Sequence, residues 1–178
     1  MQNKFILEYK ATIGVDFLTK EIQKEENLII LQMWDTAGTE RYDSITESFF
    51  RNSETCVLVF DLTSEKSFND VEIWRKKLIE KLDQDEREKY PFVLLGNKSD
   101  LKDQIEVKDE VIQQYCIEHN SMPYFSVSAK TFENVEEAFA KVADIAFERN
   151  IKNKQISLPE VKPIQVTKQT NKRKCCFS

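Results

Sequence analysis

A chain of 178 residues is long enough for one substantial core and a tail, and its acids outnumber its bases by 31 to 26, for a net charge of −5. That mixed, mildly acidic balance excludes a generic nucleic-acid binder and indicates a solvated surface. The opening MQNKFILEYK lacks a secretory core and no apolar run is long enough to span a bilayer, so a cytosolic protein is expected. The spacing of Cys56, Cys116, Cys175 and Cys176 fits neither a disulfide framework nor a zinc site.

Val15, Phe17, Thr19 and Glu21 alternate with Asp16, Leu18, Lys20 and Ile22, which is the period of a strand. A short hairpin through residues 24–27 then returns the chain along LIILQMW, residues 28–34. This run reads as a buried parallel strand that stops at Asp35, Thr36, Ala37 and Gly38. A carboxylate at a strand's carboxyl end can hold Mg²⁺ directly or through water, and a glycine lets a backbone N–H approach an anion. The same residues would also serve a plain solvent turn.

TCVLVFD, residues 55–61, is a second apolar strand with Asp61 at its exit. Thr63 or Ser64 caps the following helix, whose Phe68, Val71, Trp74, Leu78 and Leu82 recur at helical spacing as core. Residues 83–89 read as a solvated loop. PFVLLGNKSD, residues 91–100, is a buried strand ending in groups that can read a purine. The Asp100 carboxylate can accept two N–H bonds from a guanine edge, Lys98 can cover the ring, and Asn97 can tie loops together, whereas adenine lacks the donor pair.

A helix over residues 107–119 is predicted to turn Val107, Val111, Tyr115 and either Cys116 or Ile117 inward, with His119, the only histidine, as a surface or capping group. MPYFSVSAK, residues 122–130, supplies another strand followed by Ser128, Ala129 and Lys130. The last helix, residues 134–149, carries Val135, Ala138, Phe139, Val142, Ile145 and Ala146 on one face. Residues 150–178 lose that periodicity and read as a flexible tail ending KRKCCFS, where a basic cluster precedes Cys175 at the head of a C-a-a-X pattern. The order of elements is that of an α/β protein.

The string WDTAGTERY resembles the second switch segment of Ras-like small GTPases, and YKATIGVDFLTKEI, FVLLGNKSDL and MPYFSVSAK resemble the late-endosomal and lysosomal branch of the Rab family. The resemblance covers most of residues 4–149. It implies a mostly parallel sheet flanked by helices, of the phosphate-loop NTPase kind, acting as a monomeric GTP/GDP-controlled switch in vesicle traffic at the late endosome, lysosome or vacuole. It assigns Thr12 and Asp35 to Mg²⁺, and Thr12, Asp35, Gly38, Asn97, Lys98, Asp100, Ser128, Ala129 and Lys130 to GTP or GDP. In that family the Ala129 backbone N–H meets the guanine carbonyl oxygen. Ile13, Phe17, Trp34 and Phe49 fall on the effector-binding positions, although aromatics so placed also fill cores. Cys175 and Cys176 would carry geranylgeranyl or farnesyl groups that hold the protein on the cytosolic face of a membrane. Effectors, exchange and GTPase-activating proteins, and the prenylation and escort machinery are the implied partners.

Two departures stand out. Members of the family begin with a strand, a Gly-rich loop closing on Gly-Lys-Ser/Thr, and a helix, yet no glycine precedes Gly14 here and no Gly-Lys-Ser/Thr occurs. Losing four charge-assisted phosphate bonds would weaken binding by roughly 10⁴ to 10⁸. The missing strand is also the one expected between LIILQMW and TCVLVFD. Thr39, in turn, occupies the position where the family places a glutamine that orients the attacking water, so slow hydrolysis is expected. Three readings follow: an amino-terminally shortened GTPase, a nucleotide-independent relative that binds effectors or prenylation machinery, or a gene-model fragment without function.

Overall fold

Alternation governs the first two strands. β1 (Val15–Lys24) and β2 (Asn27–Thr36) form an antiparallel hairpin whose register runs from Val15 opposite Thr36 to Lys24 opposite Asn27. The computed structural model describes residues 5, 11–24, 26–38, 50 and 53–157, of which 154–157 by backbone alone. Contrary to expectation, LIILQMW is neither parallel nor buried on both faces. Leu31 is buried and Ile29 and Met33 are half-buried, but Leu28, Ile30 and Trp34 are exposed. The cause is its position in a separate two-stranded sheet, only one face of which packs on the rest of the domain.

The second sheet is parallel, in the order β3 (Cys56–Asp61), β4 (Phe92–Asn97), β5 (Tyr124–Ser126). Its central strand is buried from Phe92 through Gly96, as a continuous apolar run in a parallel sheet should be. Phe92 and Leu94 face one core with Leu58, Phe60, Val71, Leu78, Ile112 and Cys116, beneath α1 (Glu65–Lys81) and α2 (Asp109–Glu118). Val93 and Leu95 face the other with Leu31, Val127, Ala138 and Val142, against α3 (Val135–Ser157) and the hairpin. Val93 and Leu94 are fully buried, each stabilising the fold by about 1.5–3 kcal/mol. Gly96 is required by packing, since a Cβ there would lie 2.9 Å from Leu62 Cδ2 and 3.0 Å from the Tyr124 hydroxyl.

Helix α1 begins as expected, with the Ser64 hydroxyl accepting the Ser67 N–H at 3.3 Å. Helix α2 differs in phase. Its buried residues are Ile112 and Cys116, with Tyr115 half-buried, while Val111 and Ile117 are exposed. Val107 is indeed buried, but it precedes the helix and bonds through its N–H to the Leu62 carbonyl at 3.3 Å, so counting from it rotates the predicted face.

Helix α3 runs to Ser157, past the break expected after residue 149. Polar anchors carry it there. The Arg149 guanidinium lies 4.8 Å from the Tyr90 ring centre and 3.0 Å from Glu86, and the Asn150 and Asn153 amides donate to Glu54 at 2.8 and 3.2 Å. Among the described residues no helix is long and apolar enough to cross a membrane.

No described strand pairs with the second edge of β2 or with that of β3. Ile30 and Val59, on these two strands, are 58% and 57% exposed. These are the strands between which the family's first strand is expected.

Candidate functional site

The groups singled out by sequence gather where strands end. At the exit of β4, Asn97 Oδ1 accepts the Lys98 N–H at 2.8 Å and, across the gap, the Ala129 N–H at 3.0 Å. One side-chain oxygen thereby links the loops after β4 and β5. The link is reinforced by the Ser99 N–H to the Val127 carbonyl at 3.0 Å and by the Ser99 hydroxyl to Glu133 at 3.1 Å. Asn97, Asp100 and Ala129 thus belong to one hydrogen-bonded pair of loops. The Ala129 N–H, expected to meet a guanine oxygen, is here engaged by Asn97.

Ser128 is fully buried and donates its hydroxyl to Asp100 Oδ1 at 2.6 Å while accepting the Thr131 N–H at 3.1 Å. The Lys130 ammonium stands 3.6 Å from the other Asp100 oxygen. The Ser128 bond, working against burial and helped by Lys130, holds the Asp100 carboxyl below the ordinary carboxylate range. Asp100 is therefore an anion with a fixed orientation, suited to accept N–H donors.

Lys98 adopts a left-handed backbone, φ 68°, which is uncommon for a residue with a side chain. Its ammonium reaches back to Asp61 Oδ2 at 2.5 Å. Burial pushes the Asp61 carboxyl up, but hydrogen bonds from Lys98 and Thr63 and the Lys98 charge together leave it lowered. Asp61 was visible in the sequence only as a strand exit. The signal for its role is its register partner, Asn97, across the β3–β4 ladder.

At the exit of β2, the Thr12 hydroxyl donates to Asp35 Oδ2 at 2.9 Å, so the two expected Mg²⁺ ligands are in contact. The Ala37 N–H to the Gly14 carbonyl, 2.8 Å, ties their segments together, and Gly14 uses its freedom to sit at φ +75°. A hydroxyl and a carboxylate are hard oxygen donors of the kind Mg²⁺ takes when waters and phosphates complete its shell, so the pair fits that ion. Among the described residues no cluster of three or more His, Cys, Asp or Glu could hold a metal without such help. Gly38 is exposed, with open space around it.

Ile13, Phe17 and Trp34 are exposed, which removes the core-filling alternative for these two aromatics. Phe17 and Trp34 are cross-strand partners with ring centres 4.4 Å apart. Thr39, Phe49, Cys175 and Cys176 lie outside the described residues.

Loops bonded to each other beyond the ends of parallel strands are where open α/β sheets bind nucleotides. The Ras family model matches residues 1–148, and the chain belongs to that family. Within it the similarity is to Rab-type and Ypt-type proteins. The chain is 40% identical over 178 residues to GTP-binding protein YPTC5 of Chlamydomonas reinhardtii, covering 99% of this chain and 86% of that protein. It is 39% identical over 176 residues to the Ypt/Rab-type GTPase ypt7 of Schizosaccharomyces pombe, covering 98% and 85%. To Ras-related protein RABG3f of Arabidopsis thaliana it is 40% identical over 177 residues, covering 98% and 85%.

Proposed function

We propose that the chain is a guanine-nucleotide-reading switch of Rab type that serves vesicle traffic at the late endosome, lysosome or vacuole. The observation that carries this reading is the Asn97 bridge to Ala129 beside a Ser128-oriented Asp100. Asp100 accepts the N–H donors of the guanine edge, Ser128 keeps its carboxylate aimed, and the Lys98 stem covers the ring. For the guanine oxygen to be met, Asn97 shares or yields the Ala129 N–H as the base enters. Thr12 and Asp35 would hold Mg²⁺, which when bound neutralises phosphate charge. Ile13, Phe17 and Trp34 form the surface that effectors read, Phe49 being assigned to it by the family resemblance alone, and lipid on Cys175 and Cys176 supplies membrane attachment.

Hydrolysis is slow on this reading, because Thr39 is too short to orient water as a glutamine does. Titration with fluorescent GDP, GTP and ATP tests the proposal: saturable, guanine-selective binding in the micromolar range or tighter is expected. Equal response to ATP, or none at millimolar nucleotide, overturns it. The exposed, stacked Phe17–Trp34 pair favours a second reading, a nucleotide-independent partner of effectors or of the prenylation machinery. Absent nucleotide binding with retained capture of a Rab effector would select it.

A further inference from the structure

The Lys98 side chain is not left to find its own position. Its carboxylate partner, Asp61, is fixed on both sides: Oδ1 accepts the Thr63 N–H at 2.9 Å and the Thr63 hydroxyl at 2.7 Å, leaving Oδ2 for the Lys98 ammonium at 2.5 Å. The Asp61 backbone is fixed too, its N–H donating to Ser67 Oγ at 2.9 Å and its carbonyl accepting the Ser67 hydroxyl at 3.0 Å. Asp61 thus stands on the first turn of α1 and on the last rung of the β3–β4 ladder, opposite Asn97. The Lys98 stem must bridge from its left-handed backbone to this anchored anion.

We propose that Asp61 is a positioning residue for the base-reading site, holding Lys98 by its ammonium so that the methylene stem is set as a wall of the hollow before a purine arrives. The inference rests on the guanine-reading function above and adds to it a residue outside the motifs that carry that function. A lysine free in solvent samples many rotamers and must be immobilised when a ligand docks beneath it. The ion pair makes that restriction in advance. Because the stem lies over a ring and not along its edge, the benefit is independent of which donors the edge carries.

Guanosine and inosine are the appropriate probes, since neither has a phosphate and inosine lacks the exocyclic amine that Asp100 would accept. Asp61→Asn is expected to weaken both by a common factor of about 2 to 10, the range for ordering one side chain. In a Lys98→Met background the same substitution should add nothing. Unchanged or tighter binding by Asp61→Asn overturns the proposal, as does a loss that persists undiminished without Lys98, which marks a merely structural role. If the wild-type chain binds guanosine no better than adenosine, the guanine-reading function itself fails, and that result is distinct from either. The wild-type protein offers a check that needs no variant to fold. The Lys98 ammonium should give an NMR signal protected from solvent exchange with and without guanosine, and its absence in both states overturns the proposal.

Discussion

Asn97 is the residue whose replacement discriminates most sharply between a built site and a coincidence of loops. Its Oδ1 accepts two backbone N–H groups, from Lys98 at 2.8 Å and Ala129 at 3.0 Å. Each such bond contributes a net of about 0.5–1.5 kcal/mol, and because Lys98 and Ala129 are exposed, water satisfies part of what is lost. Asn97→Ala should therefore destabilise the fold by about 1–2 kcal/mol, a fall in melting temperature of roughly 2–8 °C for a domain of this size. Asn97→Asp retains an acceptor at the same place and should retain most of the stability. Binding should follow the same order, because the bridge is what sets the loop of Ala129 against that of Asp100. Guanosine affinity is expected to fall about tenfold or more in Asn97→Ala, the equivalent of about 1.4 kcal/mol, and less in Asn97→Asp. Differential scanning fluorimetry and guanosine titration on the three proteins make the comparison. Loss of stability with unaltered guanosine affinity in Asn97→Ala would refute the assignment of this bridge to base reading.

Three further outcomes are expected. Gly96→Ala places a Cβ 2.9 Å from the buried Leu62 side chain, and overpacking of this kind costs about 1–3 kcal/mol, so a lowered melting temperature is expected and an unchanged one would show that Leu62 yields freely. Glu72 is paired with Arg75 and accepts the Tyr115 hydroxyl at 2.9 Å; the Arg75 bond, against burial and with Tyr115, lowers its carboxyl from 4.5 to about 2. Its folded-state value being depressed, Glu72 contributes stability above about pH 4.5 that is lost as pH falls toward 2; after discounting for solvent screening it amounts to about 1 kcal/mol, so acid unfolding of wild type and Glu72→Gln should converge across that window. Mg²⁺ should tighten GDP binding by the wild-type chain and fail to do so for Asp35→Asn, with isothermal titration at two Mg²⁺ concentrations as the measurement.

Much of this was legible from residue pattern, and the failures have physical causes. β4 announced itself because a strand buried on both faces must be apolar at every position, as Phe92, Val93, Leu94 and Leu95 are. The same inference misled for LIILQMW: an equally apolar run is half exposed because only one face of its two-stranded sheet packs on the rest of the domain. Helix α2 was rotated because Val107 joins the core from the loop before the helix and looks, in one dimension, like the first step of a helical period. The extent of α3 escaped because Arg149, Asn150 and Asn153 are held by charge and hydrogen bonds with Glu54 and Glu86, and apolar periodicity carries no trace of polar anchoring. At the site, N-K-S-D and S-A-K were readable as short strings whose residues are local to one turn. The pairing of Asp61 with Lys98 was not, since it joins the last residue of β3 to the residue just past the end of β4, which only the parallel register brings together.

The two halves of the candidate site stand on differently secured supports. Asn97, Lys98, Asp100, Ser128 and Ala129 extend from the three-stranded sheet, where β4 is hydrogen-bonded on both edges and packed on both faces. Thr12, Asp35, Phe17 and Trp34 belong to the hairpin and the segment leading into it. The hairpin joins the rest through Leu31, Ile22 and Met33 and an ion pair of Lys24 with Asp144 at 2.6 Å, with no backbone ladder between the sheets. Burying Leu31 contributes about 1.5–3 kcal/mol, and a half-exposed ion pair adds little to that. Base reading can therefore persist where metal and effector contacts are weakened, which is why guanosine, having no phosphate, and Mg²⁺ report on separate parts of the molecule. A strand laid between β2 and β3 would couple the parts by adding two hydrogen-bonded ladders and covering Ile30 and Val59. Among the described residues, a signal from the base-reading loops to the aromatic pair passes through the packing of Leu31, Ile22 and Met33 and the Lys24–Asp144 ion pair.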